Sequence, residues 1–167
     1  GEEFKNVGFL RRNSLLSLRE YNIKVEELTK ILRVAFSDPY YETRSAALLL
    51  AQKESAKLLS NLEIIEFAKK LSLDSEFEVA KESILLLGEI GDEDALEHIL
   101  SFKDHFFWQV REAALLAIRR IIERGVKIEK DKVKKELLKF NLTSTDFKPL
   151  FSIKQNYKKI FELLEKE

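Results

Sequence analysis

The sequence predicts an all-α protein: a right-handed α-α superhelix of stacked helix pairs, closed by a C-terminal helical cap. Three observations carry that expectation. One helical pattern recurs four times, as Leu10-Arg11-Arg12-Asn13-Ser14-Leu15-Leu16, Thr43-Arg44-Ser45-Ala46-Ala47-Leu48-Leu49, Val79-Ala80-Lys81-Glu82-Ser83-Ile84-Leu85 and Val110-Arg111-Glu112-Ala113-Ala114-Leu115-Leu116. Arg11, Arg44, Ala80 and Arg111 fall in one column, spaced by 33, 36 and 31 residues. A helical period of roughly 30 to 45 residues marks units that bury their apolar faces only against one another. Finally, no stretch sustains the period-two alternation of a half-buried strand, so no sheet is expected.

The elements follow in order. Residues 4–20 read as the first copy, with Leu10, Ser14, Leu15 and Leu18 on one stripe at helical spacing, broken at Tyr21 and Asn22. A helix over 25–36 places Val25, Leu28, Ile31, Leu32 and Ala35 along one face and stops at Ser37-Asp38-Pro39, where proline disfavours continuation. Pro39 and Asp38 then suit the first turn and the N-cap of a helix over 40–53. A short helix begins at Leu58 or Asn61 and reaches Leu71. The next is capped by Asp74 or Ser75 and ends around Gly88 to Asp92. Helices over 95–102 and 106–124 follow, the second stopped by Gly125. The column signature does not recur beyond that glycine. Residues 1–125 are therefore expected to be the repeats, and residues 126–167, with helices over 131–140 and 153–166, the cap of the same continuous domain.

Composition bounds the function. A chain of 167 residues can bury about 70% of the surface its unfolded form exposes, so it needs no staple. Its 29 basic and 29 acidic side chains cancel, which argues against a nucleic-acid or membrane-surface partner. Cysteine is absent, which excludes disulfides and thiolate metal sites and is compatible with the cytoplasm. No apolar run reaches the roughly 20 residues of a membrane span. Abundant Lys and Glu without Cys or Met lean toward a thermophile-like composition. Gly1 in place of methionine, with no methionine anywhere, points to a piece of a longer protein.

The pattern of a turn aspartate, then Val-Arg-x-x-Ala-x-x-x-Leu, followed by Leu87-Gly88-Glu89-Ile90-Gly91-Asp92-Glu93-Asp94-Ala95-Leu96, resembles HEAT repeats, particularly the short type first described in phycobilisome lyases. The resemblance covers residues 4–125 and is best over 74–120. Ala80 departs from the family's arginine, and the first copy lacks a clear preceding helix. The resemblance implies a superhelical scaffold whose second helices line one side, serving mostly as a binding platform. It also implies that Asp38, Asp74 and Asp104, with Arg44 and Arg111, bond within and between repeats.

Three residues before the arginine column stand Tyr41, Phe77 and Trp108, with Gly8 in the first copy and Tyr40, Phe106 and Phe107 nearby. In stacked repeats these rings form a ridge suited to protein contact, with Arg111 and Arg119 alongside. The plainer reading is that the rings fill corners between paired helices. A second candidate surface is the polar face of the second helices, among them Arg12, Glu42, Gln52, Glu78, Glu82, Glu112 and Arg120; it suits a charged protein segment or is an ordinary solvated face. The partner expected is a protein or another domain of a parent chain.

Enzyme readings are weaker. His98 and His105 lie on different elements with no metal-binding spacing. Gly88 and Gly91 end a helix, so they form no phosphate loop. No cofactor is expected. The alternative kept open is a HEAT-like DNA glycosylase acting on alkylated bases, which resembles this chain in placing Trp108 one helical turn before Glu112.

Overall fold

The computed structural model describes residues 2–143 and 149–166, and its elements among them are helical. They are α1 (Glu2–Leu18), α2 (Val25–Phe36), α3 (Tyr41–Lys53), α4 (Ser55–Leu58), α5 (Leu62–Leu71), α6 (Phe77–Ile90), α7 (Glu93–Leu100), α8 (Trp108–Glu123), α9 (Lys130–Leu137) and α10 (Pro149–Glu165), with a 3-10 turn at Ser101–Asp104. The fold class is all-α, as the recurring helical spacing requires.

Local chemistry sets the boundaries. In α2, Leu28, Leu32, Ala35 and Phe36 are buried on one stripe, while Glu26 and Glu27 in the first turn and Arg33 in the last complement the helix dipole. The Asn61 side chain accepts the Ile64 N–H at 3.2 Å and starts α5. Asp92 accepts the Ala95 N–H at 3.0 Å and starts α7. The sequence pattern missed α4, a single turn whose Leu58 is fully buried. Lys57 fixes that turn by donating to Asn22 Oδ1 at 2.8 Å and the Ile23 carbonyl at 2.9 Å.

Two rows of helices result. In the inner row α1 packs on α3, α3 on α6, α6 on α8 and α8 on α10. The outer helices α2, α5, α7 and α9 each pack on the inner helix that follows them, and α2 touches α5 as α5 touches α7. One apolar core runs between the rows, from Leu15 and Ile23 to Ile153, Ile160 and Leu164. Small residues let the inner helices approach closely: a Cβ built on Gly88 would lie 2.7 Å from the Ala117 Cα. Gly8 is matched in the same way to the Tyr40 ring, whose Cδ1 would lie 2.6 Å from such a Cβ. The first copy therefore has no ring in the aromatic column because Tyr40 already covers that place. The tail expected as a cap packs as one more pair, with α10 on α8 and α9 on α10.

Ion pairs repeat along the outer row. Arg33 of α2 donates to both carboxylate oxygens of Glu63 in α5, at 2.5 and 2.9 Å. Lys69 of α5 pairs with Asp94 of α7, and Glu97 of α7 pairs with Lys132 of α9. Between α5 and α7, His98 Nε2 lies 2.7 Å from the buried Ser72 hydroxyl. Burial, reinforced by the Lys69 charge, holds the His98 imidazole below its usual range, against the opposing charges of Asp94 and Glu66. The unfolded chain then binds a proton at His98 that the folded chain refuses, so stability falls as pH drops through about 6.5 and levels off below the folded pKa. Melting temperatures between pH 7.5 and 5 will show this slope in wild type and a flatter one in His98→Gln.

Candidate functional site

The turns that launch the inner helices are built to one plan. Asp38 Oδ1 accepts the Tyr40 N–H at 2.8 Å, and Asp74 Oδ1 accepts the Glu76 N–H at 3.0 Å. Asp38 is thus two residues ahead of the N-cap position, which Tyr40 occupies without a side-chain bond; the proline between them separates the aspartate from the helix. Arg11 forks onto Asp38 at 2.6 and 3.0 Å, and Arg44 onto Asp74 at 2.8 and 2.9 Å. Arg44 also donates back to the carbonyls of Asp38 and Pro39. Partial burial works against the Asp38 carboxylate, but Arg11, the Tyr40 N–H and the Arg44 charge outweigh it and hold it below the usual carboxylate range. Arg11 with Asp38 and Arg44 with Asp74 thus tie successive inner helices to one another's turns.

The third turn departs from expectation. Asp104 is exposed at the end of the 3-10 turn. His105 takes the aspartate's place, its Nδ1 accepting the Phe107 N–H at 3.2 Å. Counting six residues back from Arg111, as from Arg44 to Asp38, would have found it. Ala80, which lacks a guanidinium, is the residue one repeat earlier, so arginine and aspartate are replaced together at this junction. Arg111 restores the ladder in another form. It donates to the carbonyls of His105 and Phe106 behind it, and to those of Asn141, at 3.0 Å, and Thr143 ahead. Asn141 in turn accepts the Thr143 N–H at 3.0 Å, repeating the aspartate turn.

These turns fix where the sequence-predicted contact residues stand. Tyr41, Phe77 and Trp108 are the first residues of α3, α6 and α8, so they share one register as the repeat alignment requires. All three are half-buried and packed against the core. The exposed rings lie one and two residues earlier in the third turn. Phe106 is 88% exposed and Phe107 39%. Phe107 lies 5.1 Å from the Phe77 ring and 5.2 Å from the Phe106 ring, centre to centre. Arg111, placed beside the ridge as a contact, is 5% exposed with its guanidinium spent on four carbonyls; it holds the turn that presents Phe106. Arg119 is likewise committed within the chain, to Glu123 at 2.9 Å and to Asn156 of α10 at 3.3 Å.

Beside the rings lies a polar groove of about 250 Å³, lined by Arg12, Tyr41, Glu42, Ser45 and Glu78 among others. The Glu42 charge, desolvation, and the charges of Glu78 and Glu76 push the Tyr41 phenol above its usual range. Arg12 offsets part of this field through its contact with Glu42 at 3.3 Å. The edge at the start of α3, α6 and α8 thus combines aromatic faces with carboxylates.

Much of the remaining polar inner face is paired within the chain. Gln52 donates to the Glu82 carboxylate at 2.9 Å, Arg120 meets Glu89 at 2.6 Å, and the Ser152 hydroxyl donates to the Glu112 carboxylate. Among the described residues no group of three His, Asp or Glu is arranged to hold a metal ion, and no helix is long and apolar enough to cross a membrane. Comparison with protein-family models, curated proteins and solved structures gives no match.

Proposed function

We propose that the chain is a HEAT-like right-handed α-α superhelix acting in the cytoplasm as a non-catalytic scaffold for protein-protein or interdomain contact. The ordered succession of helix pairs and the guanidinium ladder support the superhelical reading. The contact edge comprises Phe106, Phe107 and Phe77 with Tyr41 and its surrounding carboxylates, and it takes a partner segment carrying basic side chains. The observation that carries this is the ring cluster in which Phe107 packs on Phe77 and meets Phe106 edge-on. Two of those rings are solvent-exposed at the end of a turn held rigidly by Arg111. Rings fixed in place lose little freedom on contact, and their faces and the nearby Glu42 and Glu78 both attract cations.

The test begins with capture of the partner from the source cells and purification of what is captured. Calorimetry should then give an affinity about tenfold weaker for Phe106→Ser with Phe107→Ser, and about threefold weaker for Glu78→Lys. Unchanged affinity in correctly folded variants removes this edge as the contact.

A further inference from the structure

A second surface lies at the other end of the array. Between α1 and α2 runs an open, almost wholly apolar groove of about 540 Å³, lined by Val7, Leu10 and Leu18 on one side and Ile31 and Val34 on the other. Leu10 is 63% exposed and Val34 75%. Side chains of this size gathered in one exposed groove mark a contact surface.

The repeat itself says what fits there. Every later inner helix, α3, α6, α8 and α10, has an outer helix packed on it from the preceding segment, namely α2, α5, α7 and α9. The groove on α1 is the same seat, one place earlier, on the face of α1 that borders α2. We propose that it binds an amphipathic α-helix of a partner protein, lying beside α2 as α2 lies beside α5.

Charge placement specifies the helix further. Within the outer row, a basic residue near the end of one helix meets the acidic second residue of the next: Arg33 meets Glu63, and Lys69 meets Asp94. The second residue of α2 is Glu26, exposed and without an ion-pair partner among the described residues. Lys30, which lines the groove, is also unpaired among them. The occupant therefore carries a basic residue in its last turn for Glu26 and an acidic residue facing Lys30, with apolar residues at i, i+3, i+4 and i+7. The chain's own α5 has this pattern, with Lys69 and Lys70 in its last turn.

The inference rests on the two-row arrangement and not on the aromatic edge. Its test uses a capped synthetic peptide of residues 61–73 titrated into the whole protein and followed by amide chemical shifts. Shifts should concentrate at Val7, Leu10, Ile31 and Val34. Val34→Asp, at an already exposed position, should weaken binding about tenfold. Glu26→Lys should weaken it about threefold, and a peptide with Lys69→Glu and Lys70→Glu should recover that loss on the Glu26→Lys protein alone. Phe106→Ser should leave peptide binding unchanged, so failure of the edge and failure of the groove are told apart. Shifts located elsewhere, or binding indifferent to Val34→Asp, overturn the proposal. So does self-association of the wild type that Val34→Asp abolishes, since a second copy is then the occupant.

Discussion

Arg111→Ala should lower stability by about 3 kcal/mol, a drop of about 6 to 12 °C in melting temperature for a chain of this size. The guanidinium is buried and holds carbonyls on both sides of the junction between the third turn and the C-terminal segment. Removing it takes the fixed donors from four part-buried carbonyls at once, and polar groups left unpaired there carry a desolvation cost. Arg111→Lys keeps the charge but cannot reach forward and backward at once with one ammonium, so it should recover less than half of the loss. Hydrogen exchange should localise the change. Amides of residues 138–143 lose protection in both variants, while those of α2 and α3 keep theirs. Uniform loss, or none, would mean that Arg111 does not pin this junction.

Gly88→Leu should cost at least about 3 kcal/mol, and even Gly88→Ala about 1 kcal/mol. Alanine is the better helix former by close to 1 kcal/mol, so an exposed glycine at this point of α6 would gain from the change. Here the added methyl meets the Ala117 Cα at 2.7 Å and its Cβ at 2.9 Å. That neighbour is backbone of α8 and cannot swing aside, so the two helices must separate along their whole contact. Thermal unfolding of the two variants checks the order. A stabilising Gly88→Ala would show that α6 and α8 do not cross at this glycine.

The helices and their order were legible in the sequence because each repeat states its own boundaries. Apolar residues recur at helical spacing, and turn residues stand at a fixed distance from the arginine column. Legibility failed where the chemistry is shared between repeats. Nothing local distinguishes His105 from any other histidine; its role as a turn acceptor follows only from its register with Asp38 and Asp74. The same is true of Asn141, which the forward reach of Arg111 identifies. The aromatic column shares one register at the start of α3, α6 and α8, and its rings are half-buried. In the third turn the first residue of the inner helix, Trp108, packs on the core, whereas Phe106 two residues earlier is exposed. Phe106 and Trp108 therefore have opposite surroundings two positions apart. The apolar groove on α1 was hidden for a simpler reason. Leu10 and Leu18 lie on an ordinary amphipathic stripe, and whether that stripe is covered depends on a neighbouring helix.

A map of nuclear Overhauser contacts between methyl and amide protons tests the ordered succession of helix pairs most directly. Cross-peaks should step from α1 to α3, α3 to α6, α6 to α8 and α8 to α10, including the Gly88 α-protons with the Ala117 methyl. Dense cross-peaks joining α1 to α10, as a bundle closed on itself would give, contradict that succession.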